Sequence, residues 1–396
     1  MRGLHYIIIL ICLFFPIKHF EAFHLLLIAF TGTLLILQKK FLLKDTVKVF
    51  IGLILFIWVS NFLRSIFFTG YNLRDYIEVI RFIPMVLLLS GGFKFKYAIV
   101  SKIFLIYVII DLFVSLFQFL GSGLGDALTS LYGSPFHIDA SLGISSRALG
   151  LSSGPGQHGS IMTFFYIFFL FSFIYLDRGK VLYFFGVVST LIAVLLSQSQ
   201  TSFISVVLIS GFMIVYTLVK GNSIQRKYSM VTLGLLLVSG TAFFIIFFDE
   251  LRYLYTLVEF GLERNSFQRR VGKTDFVWGL AKDNPELLLI GYGKDFFGSL
   301  STAMDNEYLY IFFIYGFIIG IIFLLVILIF LFKVFFLGNL FPVQYLMIGY
   351  SFLVGLIFAY PTSFFTEPRL LLLLTLYFLL DLTGVNTKTL LTFDKE

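Results

Sequence analysis

Arginine, glycine and proline are grouped in one polar stretch of an otherwise apolar chain, SRALGLSSGPGQHGS at residues 145–159. Pro155 suits the first turn of a helix, and a glycine such as Gly150 lets backbone N–H groups approach a ligand closely. The start of a helix attracts anions, and the guanidinium of Arg147 could bind two phosphate oxygens at once. The stretch therefore predicts a phosphate-binding site. The alternative is an arginine that reaches to lipid headgroups beside a tight glycine turn.

A second pair of cations, Arg269 and Arg270, falls in a segment whose apolar spacing predicts a helix over 266–282. Cations in the first turn of a helix are unfavourable unless an anion accompanies them. We therefore expect these two arginines to bind an anionic ligand. Salt bridges to Glu259 or Glu263 are the alternative.

Candidate proton acceptors occur at two places in the sequence. The run Asp305-Asn306-Glu307 stands at the start of a predicted helix, and His158 follows the glycine-rich stretch. A carboxylate or an imidazole in these positions could act as a general acid or base. Asp305 could instead cap the helix. Glu307 lies deeper in the apolar run, where ionisable side chains are costly and are usually functional.

Further charges fall inside or beside apolar runs. Three of these could line one cavity open to the outside: Arg64, Arg81 and Arg369. Internal ion pairs are the alternative, and we favour them for the helix-spaced charges at 74–81 and for Asp111. Asp111, Ser115 and Gln118 follow a spacing of four and then three residues, which predicts one polar helix face.

Composition indicates a membrane protein. Of the 396 residues, 59% are hydrophobic and 13% are charged, whereas soluble domains carry about 25% charged residues. Apolar runs of about 17 or more residues predict an all-α, polytopic transmembrane protein, because backbone groups in lipid must be satisfied within each helix. We predict about twelve spans: 4–18, 20–38, 47–68, 76–92, 97–120, 157–176, 180–197, 201–219, 229–248, 306–332, 340–360 and 367–384.

The same composition argues against several classes of site. Cys12 is the single cysteine, and the five histidines lack ligand spacing, so we expect no metal site and no cofactor. No phosphate-binding loop, nucleophile elbow or dinucleotide-binding fingerprint is present. The net charge of +7 needs no nucleic acid to explain it, since membrane proteins collect lysine and arginine in cytoplasmic loops.

The distribution of charge predicts the orientation in the membrane. With the N-terminus inside, 16 lysines and arginines fall on the cytoplasmic side, against six outside apart from one long loop. Both termini are then cytoplasmic. The single membrane domain, 1–396, has two long outer loops, 121–156 and 249–305, in which we expect short interfacial helices, one of them at 251–260. Long charged outer loops indicate binding or chemistry at the outer surface.

Two segments in the first half of the chain resemble motifs of the O-antigen polymerase and ligase superfamily. SRALGLSSGP resembles the Arg-x-x-Gly…Pro turn of that superfamily before a span, with Arg147, Gly150 and Pro155 in the matching places. LLSQSQTSFIS (195–205) resembles its outer kink between two spans, with glutamine where arginine is common.

Two later segments extend the resemblance to roughly residues 140–330. LLLIGYG (287–293) and DNEYLYIFFIYGFIIG (305–320) resemble the superfamily's Gly-x-Gly and Asn-x-x-Leu…Gly segments. They add Gly291, Gly293 and Asn306 to the candidate substrate-binding residues.

The resemblance implies a glycosyltransferase of the bacterial inner membrane that uses no nucleotide sugar and faces the periplasm. Its donor would be a glycan on undecaprenyl diphosphate, and a chain-length regulator protein would be a partner. Arg147, Arg269 and Arg270 would stabilise the leaving diphosphate without a metal, and a single displacement would invert the sugar carbon. Ligases of the superfamily often have histidine at the position of Asp305, which favours a polymerase here.

Two other functions remain open. One is an O-antigen ligase that transfers the glycan to a lipid or protein acceptor. The other is a flippase or transporter of the same lipid-linked units, which would also have about twelve spans. A transporter of this kind is expected to show two similar halves and short outer loops, and the sequence shows neither.

Overall fold

The computed structural model describes a helical membrane protein over most of its length. The described residues are 3–39, 41–43, 45–69, 73–135, 137–138, 147–246, 259–263, 265–283, 285–294, 306–337, 343–360 and 363–382. The all-α prediction is confirmed. Within these described residues, seven helical stretches are long and apolar enough to cross a membrane: Glu21–Gln38, Val47–Phe67, Tyr97–Phe119, Pro155–Tyr175, Lys180–Ser197, Gln200–Lys220 and Phe317–Phe336.

The α-helices of the described residues range from 3 to 24 residues in length. In chain order they are α1 (Ile7–Phe14), α2 (Phe20–Gln38), α3 (Asp45–Arg64), α4 (Leu73–Ile77), α5 (Ile83–Ser90), α6 (Tyr97–Phe119), α7 (Gly123–Tyr132), α8 (Pro155–Tyr175), α9 (Lys180–Ser197), α10 (Gln200–Lys220), α11 (Ser223–Ile246), α12 (Asn265–Asp283), α13 (Leu287–Ile290), α14 (Glu307–Leu309), α15 (Phe317–Phe336), α16 (Val343–Phe358) and α17 (Pro368–Phe378). Two short strands, β1 (Phe95–Lys96) and β2 (Leu380–Asp381), pair in parallel.

Helix α8 forms the centre of the bundle. Every residue from His158 to Tyr175 is buried, and α6, α9, α10, α11, α16 and α17 pack around it. A helix that is apolar on all sides is expected in such a central position. The hydroxyls of Tyr166 and Tyr175 find partners on α10, Ser210 Oγ and Thr217 Oγ1, each at 2.7 Å. The surrounding helices expose large apolar side chains, as lipid-facing helices do.

Two predicted spans are much shorter as helices. Within the described residues, span 4–18 contains a 3₁₀ turn over Leu4–Tyr6 and the eight residues of α1, and span 367–384 contains the eleven residues of α17. At about 1.5 Å per residue, neither helix reaches the roughly 30 Å of a hydrocarbon core. Helix α1 ends because Pro16 disfavours helical geometry in the preceding residue, and Phe15 is accordingly extended.

Two other predicted spans are interrupted. Span 76–92 consists of α4, a 3₁₀ turn over Glu78–Phe82, and α5. A 3₁₀ turn aligns residues three apart, which brings Glu78 and Arg81 together. Span 306–332 begins with α14 and a π-helical turn over Tyr310–Tyr315, and then breaks at Gly316, whose φ of 98° is unsuited to other residues.

The segments that connect the helices contact one another in two groups, one at each end of the bundle. At one end, β1 pairs with β2, and the Tyr6 hydroxyl accepts from Lys96 N at 2.9 Å. At the other end, which we call the site end, Lys18 donates to the Ser130 carbonyl at 2.6 Å, and Ala148 N donates to the Leu196 carbonyl at 3.1 Å. Each end contains connections that the sequence assigns to one side of the membrane.

The first predicted outer loop contains α7, which lies at the site end. Ser122 caps this helix by accepting from Gly125 N at 3.1 Å. The hydroxyl of Tyr132 donates to the Phe14 carbonyl at 2.9 Å and so joins α7 to α1. Burial raises the pKa of Tyr132 against the opposing effect of Arg369, so the hydroxyl stays protonated and able to donate.

Candidate functional site

The stretch around Arg147 packs against the turn between α9 and α10. Arg147 Nε donates to the Ser197 carbonyl at 3.3 Å, and Ala148 N donates to the Leu196 carbonyl at 3.1 Å. The Arg147 loop, defined as residues 147–154, therefore meets the 195–205 segment. Two motifs about fifty residues apart in sequence share one location.

Side chains of α6 hold the Arg147 loop from the opposite side. Gln118 Oε1 accepts from Leu149 N at 3.1 Å and from Gly150 N at 2.8 Å, while Gln118 Nε2 donates to the Gly150 carbonyl at 3.2 Å. Asp111 Oδ1 accepts from Leu151 N at 2.8 Å. The predicted polar face of this helix is confirmed. The groups that it binds are backbone atoms of the Arg147 loop.

Gly150 is required by this arrangement. Its φ is 54°, in the left-handed region that favours glycine. A Cβ atom at this position would lie 2.5 Å from Asp111 Oδ1 and 2.7 Å from His158 Nε2. The glycine therefore allows backbone to approach a buried polar pair, and this close approach is the local reason for its place in the motif.

His158 belongs to that buried pair. Its Nε2 lies 2.6 Å from Asp111 Oδ2 and 3.3 Å from Ser115 Oγ, and its Nδ1 lies 3.3 Å from the Ala148 carbonyl. Both His158 and Asp111 are 0% exposed. The internal pairing that we favoured for Asp111 is confirmed, with His158 as the partner. Because both ring nitrogens contact protein groups, this geometry favours a structural role for His158 over proton transfer.

The start of α8 has the features expected of an anion site. The helix begins at Pro155, as predicted, and no side chain caps its N-terminus at Gly154. Gly154, as the N-cap residue, has no side chain that could accept from the first N–H groups of the helix. Among the described residues, the buried Ser152 Oγ also has no hydrogen-bond partner. Ser152 lies within the Arg147 loop, and the N–H groups at the start of α8 follow that loop directly.

A second group of polar residues, which we call the charged cluster, consists of Arg64, Asp75, Glu78, Arg81 and Lys294. It joins α3, the 73–82 segment and the Gly-Tyr-Gly turn at 291–293. Arg64 Nη2 lies 2.6 Å from Asp75 Oδ2, and Arg64 Nη1 donates to the Gly291 carbonyl at 3.0 Å. A Cβ on Gly293 would lie 2.3 Å from Arg64 Nη2, so only glycine fits beside the ion pair. Lys294 N donates to Asp75 Oδ1 at 2.6 Å.

Glu78 is the other carboxylate of the charged cluster. It pairs with Arg81 and with Lys294, and it accepts hydrogen bonds from the hydroxyls of Tyr310 and Tyr315. The predicted pairing of Glu78 with Arg81 is present. Lys294 was not among the residues predicted for the site, although its position directly after Gly-Tyr-Gly could have indicated it. The cluster carries three cations and two carboxylates.

The two later motifs also meet in space. Tyr292 N donates to the Phe313 carbonyl at 2.7 Å, and Gly293 N donates to the Ile314 carbonyl at 3.3 Å. Gly291 has a φ of 87°, and a Cβ there would lie 2.3 Å from the Ile314 carbonyl oxygen. The 287–293 segment therefore pairs with the start of the 305–320 segment through backbone contacts.

Glu307 accepts hydrogen bonds from three successive backbone amides. The donors are Phe364 N at 2.8 Å, Phe365 N at 2.9 Å, and Thr366 N. The carboxylate is fully buried, and Arg81 Nη1 donates to the carbonyl of Thr366 at 2.8 Å. These contacts favour a structural role for Glu307. They also connect the charged cluster to residues 363–369, which we call the bridge.

Arg369 connects the bridge to the Arg147 loop. Its Nη1 donates to the Leu151 carbonyl at 3.1 Å, while Nε and Nη2 donate to the carbonyls of Cys12 at 2.8 Å and Phe15 at 3.1 Å. The last two carbonyls belong to the end of α1, where a cation is favourable. The bridge thus joins both motif pairs at the site end.

The expectation that three arginines line one open cavity is wrong. Arg64, Arg81 and Arg369 are 1%, 7% and 0% exposed. Each donates to acceptors of the chain, Arg64 and Arg81 in the charged cluster and Arg369 between α1 and Leu151. Asn306 likewise has a structural contact, since its Oδ1 accepts from Leu309 N at 3.2 Å and caps α14.

Arg269 and Arg270 lie further from the start of their helix than predicted. Helix α12 begins at Asn265, so Arg269 and Arg270 are its fifth and sixth residues. The first-turn placement is wrong, and the helix-dipole argument for an anion is correspondingly weaker. Within the described part of the chain, the solvent-shielded Nε of Arg270 has no hydrogen-bond acceptor. Three predictions fall wholly or partly outside the described residues: the side chain of Arg269, all of Asp305, and residues 251–258 of the helix predicted at 251–260.

Comparisons with known proteins do not extend this description. No protein family, curated protein or solved structure matches the chain. Among the described residues, no three histidine, cysteine, aspartate or glutamate side chains come together as metal ligands. The interpretation of the site therefore depends on its geometry.

Proposed function

We propose that this protein is a membrane glycosyltransferase that polymerises oligosaccharide repeat units carried on undecaprenyl diphosphate into O-antigen or a related surface polysaccharide. The observation that carries the proposal is that four segments meet in two pairs, and that the bridge joins these pairs at one end of the bundle. The Arg147 loop lies against 195–205, and 287–293 lies against the 305–320 segment. These are the segments that resemble the O-antigen polymerase and ligase superfamily.

Two further observations support an anionic ligand. The start of α8 lacks a side-chain cap beside the Arg147 loop, and helix N-termini bind phosphate groups. Arg270 Nε lacks an acceptor among the described residues, although shielded N–H groups in proteins almost always have one. A lipid-linked diphosphate offers acceptor oxygens of the required charge.

In the proposed reaction, an acceptor hydroxyl oxygen attacks C1 of the donor sugar while the bond from C1 to the diphosphate oxygen breaks. The electron pair leaves with undecaprenyl diphosphate, and the sugar carbon is inverted. Arg147, Arg269 and Arg270 stabilise the growing negative charge, so that no metal is needed. We assign the hydroxyl proton to Asp305, because His158 and Glu307 use their polar atoms in contacts with the protein.

The proposal includes an arrangement in the bacterial inner membrane. About twelve segments, some of them short or interrupted, would traverse the bilayer, with both termini in the cytoplasm. The site end would then face the periplasm, where lipid-linked repeat units and a chain-length regulator protein are accessible. The grouping of connections at two ends of the bundle supports this alternation.

The glycan ladder of a deletion strain tests the proposed function. Loss of a polymerase leaves surface glycans of a single repeat unit, and complementation with the wild-type gene restores the ladder. Complementation with Arg178→Lys, a change at an exposed site, should also restore it, whereas Arg147→Ala should not. Complete loss of surface glycan in the deletion strain would contradict a polymerase and indicate a ligase or a flippase.

A further inference from the structure

Gln118 lies at the end of α6 where the Arg147 loop crosses it. Its side-chain amide makes three hydrogen bonds with the loop, accepting from Leu149 N at 3.1 Å and Gly150 N at 2.8 Å and donating to the Gly150 carbonyl at 3.2 Å. Gln118 therefore uses both ends of its amide on two consecutive residues of the loop. These hydrogen bonds give the backbone groups of Leu149 and Gly150 the partners that a helix or a strand would otherwise supply.

The Arg147 loop is consequently held on two sides. Gln118 contacts it from α6, while the carbonyls at the end of α9 accept from Ala148 N at 3.1 Å and from Arg147 Nε at 3.3 Å. Only Ala148 separates Arg147 from the backbone that Gln118 binds. The position of the guanidinium therefore depends on whether the Leu149–Gly150 peptide stays in place.

Recognition of phosphate by arginine depends on geometry as well as charge. A guanidinium binds two phosphate oxygens only when two of its N–H groups point at them, which requires the oxygens to lie close to its plane. A displacement of about 1 Å at a catalytic group can cost roughly a hundredfold in rate. A side chain that fixes the loop two residues from Arg147 therefore affects how tightly Arg147 binds an anion.

We propose that Gln118 is a positioning residue that orients Arg147 toward the diphosphate of a polyprenyl-linked substrate. The inference rests on the proposed function for the identity of that ligand. Asp111 is a less selective probe of the same idea, because removing it also leaves the fully buried His158 without its partner. Gln118 is partly exposed and is not part of that pair.

A double-mutant cycle with Arg147 tests the inference. Gln118→Met keeps the length of the side chain and removes all three hydrogen bonds. We expect it to weaken binding of undecaprenyl diphosphate, measured on the purified protein by native mass spectrometry, by roughly tenfold. In the Arg147→Ala background the same change should have an effect below about twofold, because a residue that acts through Arg147 has nothing left to position.

Two further variants complete the design. Gln225→Met is the matched control, since Gln225 Oε1 accepts from Asn222 N at 3.0 Å at the start of α11, away from the Arg147 loop. It should leave binding unchanged. If the methionine variant does not fold, Gln118→Glu takes its place in the cycle. It keeps an oxygen acceptor for the Leu149 and Gly150 amides and loses the donation to the Gly150 carbonyl. Its loss of binding should be present with Arg147 and absent in the Arg147→Ala background.

The outcomes separate the inference from the proposed function. Equal loss of binding from Gln118→Met with and without Arg147 would overturn the inference, as would unchanged binding in Gln118→Met. Wild-type protein that binds undecaprenyl diphosphate in an Arg147- and Gln118-dependent manner, but transfers no glycan, would contradict the transferase and support the inference. Wild-type protein that does not bind the lipid diphosphate would overturn both.

Discussion

The Nε2 of His158 lies 2.6 Å from the Oδ2 of Asp111, at a fully buried position where α6 meets α8. Asp111 uses its other oxygen to accept from Leu151 N, at 2.8 Å, in the Arg147 loop. One carboxylate thus joins two helices and the segment that we propose binds the diphosphate. The pair explains why a glycine is needed at position 150, because a side chain there would collide with both partners.

Replacing Asp111 with alanine should destabilise the protein strongly. The change leaves His158 and Leu151 N without their acceptor in a buried site, and each such group costs about 1–3 kcal/mol. We expect a clear drop in the melting temperature of the purified protein in detergent. Asp126→Ala, at an exposed position of α7, is the control and should melt like wild type. An unchanged melting temperature for Asp111→Ala would show that the pair does not support the fold.

The variants Gly150→Ala and Gly156→Ala should differ sharply in stability and activity, although the two glycines are only six residues apart. At position 150 a Cβ would meet Asp111 and His158 within 3 Å, whereas at position 156 it would meet nothing within 4 Å. We expect Gly150→Ala to lower both melting temperature and glycan transfer, and Gly156→Ala to change neither by much. Equal behaviour of the two variants in these assays would refute the close approach of the loop to the buried pair.

Glu307→Gln distinguishes a structural carboxylate from a catalytic one. Three backbone N–H groups point at the carboxylate, and the NH₂ of glutamine cannot accept from them. We expect a lower melting temperature, with transfer activity falling only as far as the folded fraction falls. Glu286→Gln, at an exposed position, is the control. Normal melting with abolished turnover would instead make Glu307 the proton acceptor.

The central features of the site could be predicted from local sequence patterns. The spacing of Asp111, Ser115 and Gln118 predicted a polar face on α6, and Pro155 predicted where α8 begins. Both predictions depend on helical periodicity and on the fixed backbone angle of proline, which tertiary contacts seldom override. The pairing of Glu78 with Arg81 also follows from their spacing.

The partners of the buried arginines could not be predicted in the same way. Arg369 donates to carbonyls of Cys12 and Phe15, more than 350 residues away, and backbone carbonyls leave no pattern in a sequence. Hydropathy likewise indicated an unbroken span over 306–332, whereas the helix is interrupted at Gly316. There, backbone of the Gly291 turn packs against it, as a Cβ on Gly316 would lie 2.4 Å from the Leu289 carbonyl.

Arg369→Lys should loosen the contact between the bridge, α1 and the Arg147 loop. A lysine has one ammonium group and cannot reach the carbonyls of Cys12, Phe15 and Leu151 together. We expect faster amide hydrogen exchange at the end of α1 and in residues 148–152, measured by mass spectrometry. Arg178→Lys should leave exchange unchanged. Wild-type protection of both segments in Arg369→Lys would show that the bridge does not depend on this guanidinium.

The most direct test of the account is glycan transfer by purified protein with an undecaprenyl-diphosphate-linked repeat unit as the substrate. We predict that the wild-type protein and Arg178→Lys extend the glycan, and that Arg147→Ala slows transfer on the order of 100-fold or more. Arg147→Lys should also be strongly impaired, because it keeps the charge and loses the two-pronged geometry. Full activity of Arg147→Ala in this assay would contradict the account.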